Sequence, residues 1–152
     1  MRHGEVEECS KAVINKDCSL STDGTYSVEQ IAKWSSQIFK NTPVTIWASP
    51  YLRTMQIAMI VNSFLLSKGG QFTDTLMQDR WEIAVSSLIK EESPILLVRY
   101  QLYLQSYLMT MTFTAMKIVP AGIVILEYDV SWKQGKIIGY MTPVFLLVNN
   151  RV

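Results

Sequence analysis

The stretch Val44-Thr45-Ile46-Trp47-Ala48-Ser49-Pro50-Tyr51-Leu52-Arg53-Thr54-Met55-Gln56-Ile57-Ala58 changes from one kind of order to another part-way along. Val44 to Ala48 is a short apolar run of β-favouring types and predicts a strand. Ser49-Pro50 then offers an N-cap followed by a proline at the first helical position, and an amphipathic pattern continues as a helix to about Leu66. A strand leading straight into a helix is the repeating unit of an α/β fold, and the rest of the chain keeps that rhythm. Upstream, Val28, Ile31, Ala32, Ser35, Ile38 and Phe39 recur at helical spacing behind the candidate caps Ser21, Thr22 and Asp23, which predicts a helix from about Thr25 to Phe39. Downstream, Lys68-Gly69-Gly70 ends the second helix. Trp81, Ala84, Val85, Leu88 and Ile89 predict a third, and Ser93-Pro94 stops it. Ile95 to Val98 reads as a fully buried strand and Leu102 to about Met116 as a mostly buried helix. Ile123 to Tyr128 follows as another strand, and Gly135 turns the chain back through Lys136 to Tyr140.

Strands alternating with helices predict a mostly parallel central sheet with helices on both faces, a three-layer αβα sandwich whose sites gather beyond the carboxyl ends of the strands. The 152 residues are 49% hydrophobic, enough for one domain over residues 1–152 with a core of its own. A net charge of +1, with acids and bases interspersed, gives no footprint for nucleic acid or an acidic membrane surface and favours a compact or small-molecule partner. The apolar region from Leu102 to Leu126 is interrupted by Gln105, Lys117, Pro120 and Gly122, whereas a span needs ~20 predominantly apolar residues, so no membrane partner is expected. Acids directly after Arg2 and His3, with no apolar core, do not predict a secretory signal in the first residues. Cys9 and Cys18 are too few for a disulfide framework and lack zinc-site spacing, so a reducing cytoplasm is the default location and no metal or cofactor is implied. Oligomeric state is left open by the sequence.

Three places at strand ends carry chemistry: Arg2-His3-Gly4-Glu5, then Arg53 behind Ser49-Pro50, then Arg99-Tyr100-Gln101 behind Val98. Arginine presents a rigid fork of donors that matches phosphate oxygens, so Arg2, Arg53 and Arg99 converging would make an anion pocket. A neutral imidazole in such a pocket can attack phosphorus; the guanidiniums would favour neutral His3 and spread the charge of the transferring group. Gly4 would let the backbone approach the anion closely. Taken singly, each has a bland reading as a surface histidine or a solvated or snorkelling arginine. Their coincidence at three strand ends favours the pocket.

Together these segments resemble the histidine phosphatase, or phosphoglycerate mutase-like, superfamily, and especially its short phosphohistidine phosphatase branch typified by SixA. Arg2-His3-Gly4-Glu5 is similar to the Arg-His-Gly signature, which places His3 at the phosphorylated histidine. Ser49-Pro50-Tyr51-Leu52-Arg53-Thr54-Met55-Gln56-Ile57-Ala58 is similar to the Ser-Pro-x-x-Arg-x-x-Gln-Thr-Ala pattern, which places Arg53 at the second phosphate-binding arginine. Asp17 to Gly24, containing Leu20-Ser21-Thr22-Asp23-Gly24, resembles the family's stretch leading into the first helix, and Ile123 to Asp129 and Thr142-Pro143 resemble its closing strands. The chain departs from it twice. Where the family has a second catalytic histidine after a strand like Ile95 to Val98, this chain has Arg99 and Tyr100. Where the family has an apolar strand before Arg-His-Gly, this chain offers Met1, and Val144 to Val148 is a candidate for the vacant slot.

The resemblance implies a phosphohistidine phosphatase-like hydrolase. His3 would attack phosphorus, Arg2, Gly4 and Arg53 would hold the phosphoryl group, and Arg99 and Tyr100 would partly replace the missing histidine. Turnover would be slowed, because loss of one preorganised donor costs on the order of a hundred- to a thousandfold. The alternatives are a non-catalytic phosphate-binding module and a small-molecule phosphomonoesterase of the same superfamily. The partner is accordingly a phosphorylated protein or a small phosphate ester. Asp79 and Glu82 stand in the interval where larger family members keep a general acid.

Overall fold

The computed structural model describes residues 1–8, 15–72 and 93–143. The expected helix around Trp81 to Ile89, the carboxylates Asp79 and Glu82, Cys9, and the segment Val144 to Val148 lie outside these residues. Helix α1 runs Thr22–Ile38 and strand β1 Val44–Ala48. Helix α2 runs Leu52–Phe64, strand β2 Ser67–Phe72 and strand β3 Ile95–Val98. Helix α3 covers Gln101–Thr112, and strands β4 and β5 cover Ile123–Asp129 and Gln134–Met141.

Helix α1 begins three residues earlier than Thr25, because Ser21 takes the N-cap and its side chain accepts a hydrogen bond from the Gly24 N–H. Helix α2 begins later than the Ser-Pro pair suggested. Tyr51 is its N-cap, and the Ser49 side chain is instead bound to that of Thr54 at 3.1 Å. After α2 the chain does not simply turn at Lys68-Gly69-Gly70 but forms β2, parallel to β1. Helix α3 stops at Phe113, which adopts a left-handed φ of 55°. The turn between β4 and β5 lies before Gly135: the Asp129 carboxylate accepts from the N–H groups of Ser131 and Trp132, and Gly135 itself is paired with Tyr128.

The strands lie in the order β2-β1-β3, all parallel, beside an antiparallel pair β4-β5. Every residue of β1 is buried, which is why its sequence is apolar without alternation. On one face, Val44, Ile46, Ala48, Leu96 and Val98 pack in one cluster with Val28 and Ile31 of α1 and Ile57 and Val61 of α2. On the other, Leu104 and Leu108 of α3 pack with Ile118, Val124 and Leu126. This is the αβα layering and phosphoglycerate mutase-like architecture that the sequence predicts. Its sheet, however, comes in two pieces. Arg2 joins them, donating its N–H to the Gly122 carbonyl at 3.0 Å and bridging Arg99 in parallel register.

Cys18 is buried and disulfide-bonded. No helix among the described residues is long and apolar enough to cross a membrane.

Candidate active site

The carboxyl ends of β1 and β3 and the N-terminal residues meet at one end of the sheet. His3 is held there on both sides of its backbone: its N–H donates to the Arg99 carbonyl at 3.3 Å, and its carbonyl accepts from Ala121 at 3.1 Å. The ring is buried, and Nδ1 lies 2.7 Å from the Gly4 carbonyl oxygen. A carbonyl can only accept, so Nδ1 carries the proton and Nε2 keeps its lone pair. Nε2 is buried and has no hydrogen-bond partner among the described residues. Burial holds the His3 pKa below its ordinary 6.5, and the positive charges of Arg53 and Arg2 push the same way, against the hydrogen bond to Gly4. The result is a neutral, buried ring nitrogen in the field of two cations.

Arg53 is 3% exposed. Its guanidinium lies over the Tyr51 ring, 4.6 Å from the centroid. Burial lowers its pKa, and the neighbouring Tyr51 and Tyr100 hydroxyls partly restore it. The local geometry comes from Thr54, whose hydroxyl meets the Ser49 side chain and donates to the carbonyl of Tyr51 at 2.8 Å. These bonds tie the end of β1 to the first turn of α2 and so fix where Arg53 points. Gln56, one turn from Arg53, accepts the Leu20 N–H at 2.8 Å and anchors the approach to α1. Arg2 donates from Nη1 to the Ile118 carbonyl at 2.7 Å, which ties its head to the loop before β4.

Packing also requires a glycine at position 4. The space its Cβ would need is taken by the Gly24 carbonyl oxygen at 2.9 Å and by the Leu20 and Val28 side chains at 3.2 Å. Its small size lets the N-terminal loop pack on α1.

The third strand end differs. Arg99 is 1% exposed, and its guanidinium lies over the Tyr103 ring at 3.9 Å and near the Tyr107 ring at 5.1 Å, bonded to the Tyr107 hydroxyl. Its charge is thus set against the face of α3. Tyr100 instead turns to the site and stacks on His3, with ring centroids 5.2 Å apart and planes inclined by 17°. The structure therefore groups His3, Arg2, Arg53 and Tyr100, and places the Arg99 head with two tyrosines. Sequence reading passed over Tyr51, Thr54 as a positioning group, and the loop Ile118 to Gly122. The loop had a local signal in Pro120-Ala121-Gly122, and Ala121 takes a left-handed φ of 58° there. Among the described residues no three potential metal ligands cluster.

The fold around this site is that of solved histidine phosphatases. Among solved structures, the chain is similar to the protein histidine phosphatase SixA in complex with tungstate, at 19% identity and a TM-score of 0.82, over 96% of each chain. It is also similar to a phosphoserine phosphatase of Entamoeba histolytica in complex with 3-phosphoglyceric acid. There the identity is 12% and the TM-score 0.66, over 93% of this chain and 94% of that one. No family model and no curated relative matches the sequence.

Proposed function

We propose that the protein is a phosphohistidine phosphatase-like hydrolase that works through a phosphorylated His3. The observation that carries this reading is the state of the ring: Nδ1 is committed to the Gly4 carbonyl, and Nε2 stands buried with a free lone pair, in the field of Arg53 and Arg2. In the first step Nε2 forms a bond to phosphorus as the substrate's P–N or P–O bond breaks, and the leaving group takes that electron pair. In the second, water attacks phospho-His3, the electron pair returns to Nε2, and inorganic phosphate leaves. Arg2 and Arg53 balance charge on the phosphoryl oxygens in both steps. The Gly4 carbonyl steadies the positive charge that the ring gains when phosphorylated. Tyr100 offers one hydroxyl and a ring face where a second imidazole would supply a further cationic donor, so turnover is slow. Arg99 supports α3 in this reading and does not hold phosphate.

The substrate class that fits is a phosphohistidine side chain or a small phosphate ester with a good leaving group, which departs without a dedicated general acid. Hydrolysis of a phosphohistidine peptide, beside a generic aryl phosphate, tests the proposal. His3→Ala is expected to reduce both rates to background, and undiminished hydrolysis by that variant would sink the mechanism. A second reading is favoured by the Tyr100 ring lying over His3: a module that binds phosphate and does not turn it over. Binding of vanadate without any hydrolysis, in a protein whose Tyr100→His variant is equally inert, would select it.

A further inference from the structure

We infer that Tyr100 is a specificity-determining residue: its ring, together with that of Tyr51, forms an aromatic platform at the mouth of the pocket. The platform favours a phosphoryl group carried on a flat ring, an imidazole or a phenol, over one carried on an alkyl alcohol. The inference rests on His3 being the phosphorylated nucleophile and adds to it the part of the substrate that leaves. Two tyrosines reach this place by the same route. Ala48 and Val98 are partners in the ladder between β1 and β3, so the two strands end level, and Tyr51 and Tyr100 become the N-caps of α2 and α3. An N-cap is ordinarily Ser, Thr, Asp or Asn, whose side chain satisfies a free N–H of the first turn. Neither tyrosine makes such a bond. Both helices forgo that stabilisation at the same end of the sheet, and both put a ring beside the reacting groups instead.

The rings lie where a substrate must pass. Tyr100 stacks on His3 with centroids 5.2 Å apart and planes inclined by 17°, an offset arrangement that leaves part of its face uncovered by the imidazole. Tyr51 lies against Arg53, whose guanidinium carbon is 4.6 Å from the ring centroid. The Tyr100 hydroxyl acts on Arg53 as that of Tyr51 does, so the Tyr100 ring reaches from His3 towards the cation that would hold the phosphoryl group. His3 and Arg53 are buried, whereas Tyr100 is 41% exposed and Tyr51 half-buried. A phosphoryl group bound for Nε2 therefore comes in along the tyrosines. Displacement at phosphorus is in line, so the bond to the leaving group points away from Nε2. What leaves is thus turned from the buried nitrogen toward the exposed rings.

A flat ring matches this lining better than a saturated chain. An aromatic ring gives a tyrosine a stacked or edge-on contact beyond the area it buries, and an alkyl carbon gives area alone. Leu52 and Leu102, on the first turns of α2 and α3, are exposed as well, so this side of the rim supplies no charge to a sugar phosphate or a phosphorylated acid. Phosphohistidine and phosphotyrosine side chains share the required shape. The preference is separate from that for a good leaving group: it acts on binding, before any bond breaks, and extends to ligands that have no bond to break.

The test is calorimetric titration of the full chain with phenylphosphonate, cyclohexylphosphonate and inorganic phosphate, at a pH where both phosphonates are dianions. Their carbon–phosphorus bonds do not break, so leaving-group strength plays no part. Phenylphosphonate is expected to bind about threefold to tenfold more tightly than cyclohexylphosphonate, the scale of an aromatic contact. Tyr100→Leu should abolish the preference and Tyr100→Phe should keep it, because the ring is needed and the hydroxyl is not. In hydrolysis, KM should be lower for phosphohistidine and phosphotyrosine peptides than for a phosphoserine peptide of the same surrounding sequence, and the lower of the two identifies the ring. Equal binding of the two phosphonates while inorganic phosphate still binds, or a preference that survives in Tyr100→Leu, overturns the platform and leaves phospho-His3 standing. If neither the phosphonates nor phosphate binds, the anion pocket itself fails, and the platform and the phosphatase reading fall together.

Discussion

β1 and β3 lie side by side, run in the same direction and each deliver an arginine to the same end of the sheet, yet the two arginines end in different company. Behind β1, the Ser49 and Thr54 hydroxyls lock the turn and Arg53 is aimed at His3, with Tyr51 under its guanidinium. Behind β3, Tyr103 and Tyr107 draw the Arg99 guanidinium along α3, and the next residue, Tyr100, is the one that meets His3. Equivalent places in a fold do not secure equivalent chemistry. What decides is whether the following helix offers the cation a better partner than the pocket does.

The largest effect that would separate the two strand ends is at Arg53. Arg53→Ala is expected to lower hydrolysis by on the order of a hundred- to a thousandfold, read as kcat/KM on the phosphohistidine peptide, because it removes a preorganised cation from the developing charge. A loss of less than a few-fold would break the comparison. Tyr100→His should move the other way and raise turnover by on the order of a hundredfold, by restoring an imidazole donor at the ring face. No gain would mean that the β3 end cannot serve the reaction whatever it carries. Arg99→Met is expected to leave phosphate affinity unchanged by calorimetry while lowering stability by about 1–2 kcal/mol, the scale of a buried cation–π contact, in denaturant titration. The reverse pattern would return Arg99 to the pocket. The smallest effect is in the pH profile. His3 is held below 6.5, so the neutral, attacking ring persists as pH falls through that value, and the acid limb of kcat/KM should lie below it. A limb at or above 6.5 would show that the Arg2 and Arg53 charges and the burial of His3 are not felt together.

Much of this was legible in the sequence, for reasons that can be named. Helix α1 and strands β1, β3 and β4 announce themselves through periodicity or through continuous apolar runs, because burial on one face or both leaves that imprint. β2 does not: Ser67 to Phe72 has no apolar pattern, and parallel pairing along β1 makes it a strand. The start of α2 was misjudged because Ser49 has a better partner in Thr54 than the helix end provides. Arg2, His3 and Arg53 were readable as a chemical set, though not their geometry. The fate of Arg99 left a signal that was missed. Arg99, Tyr103 and Tyr107 are four residues apart in turn, the spacing that brings side chains onto one helical face. The stacking of Tyr100 on His3 joins residues far apart in the chain, and no local pattern encodes it.

The tie between Met1 and Leu97 spans 96 residues, and that between Arg2 and Ile118 spans 116. The earliest part of this sequence to be synthesised is therefore among the last to find its partners. His3 cannot acquire its backbone support from Arg99 and Ala121 until the chain has been made past both, and closing such long loops is the slow part of assembling a non-local topology. Phosphate binding would thus be a late event in folding, reporting that both ends of the described fold have come together.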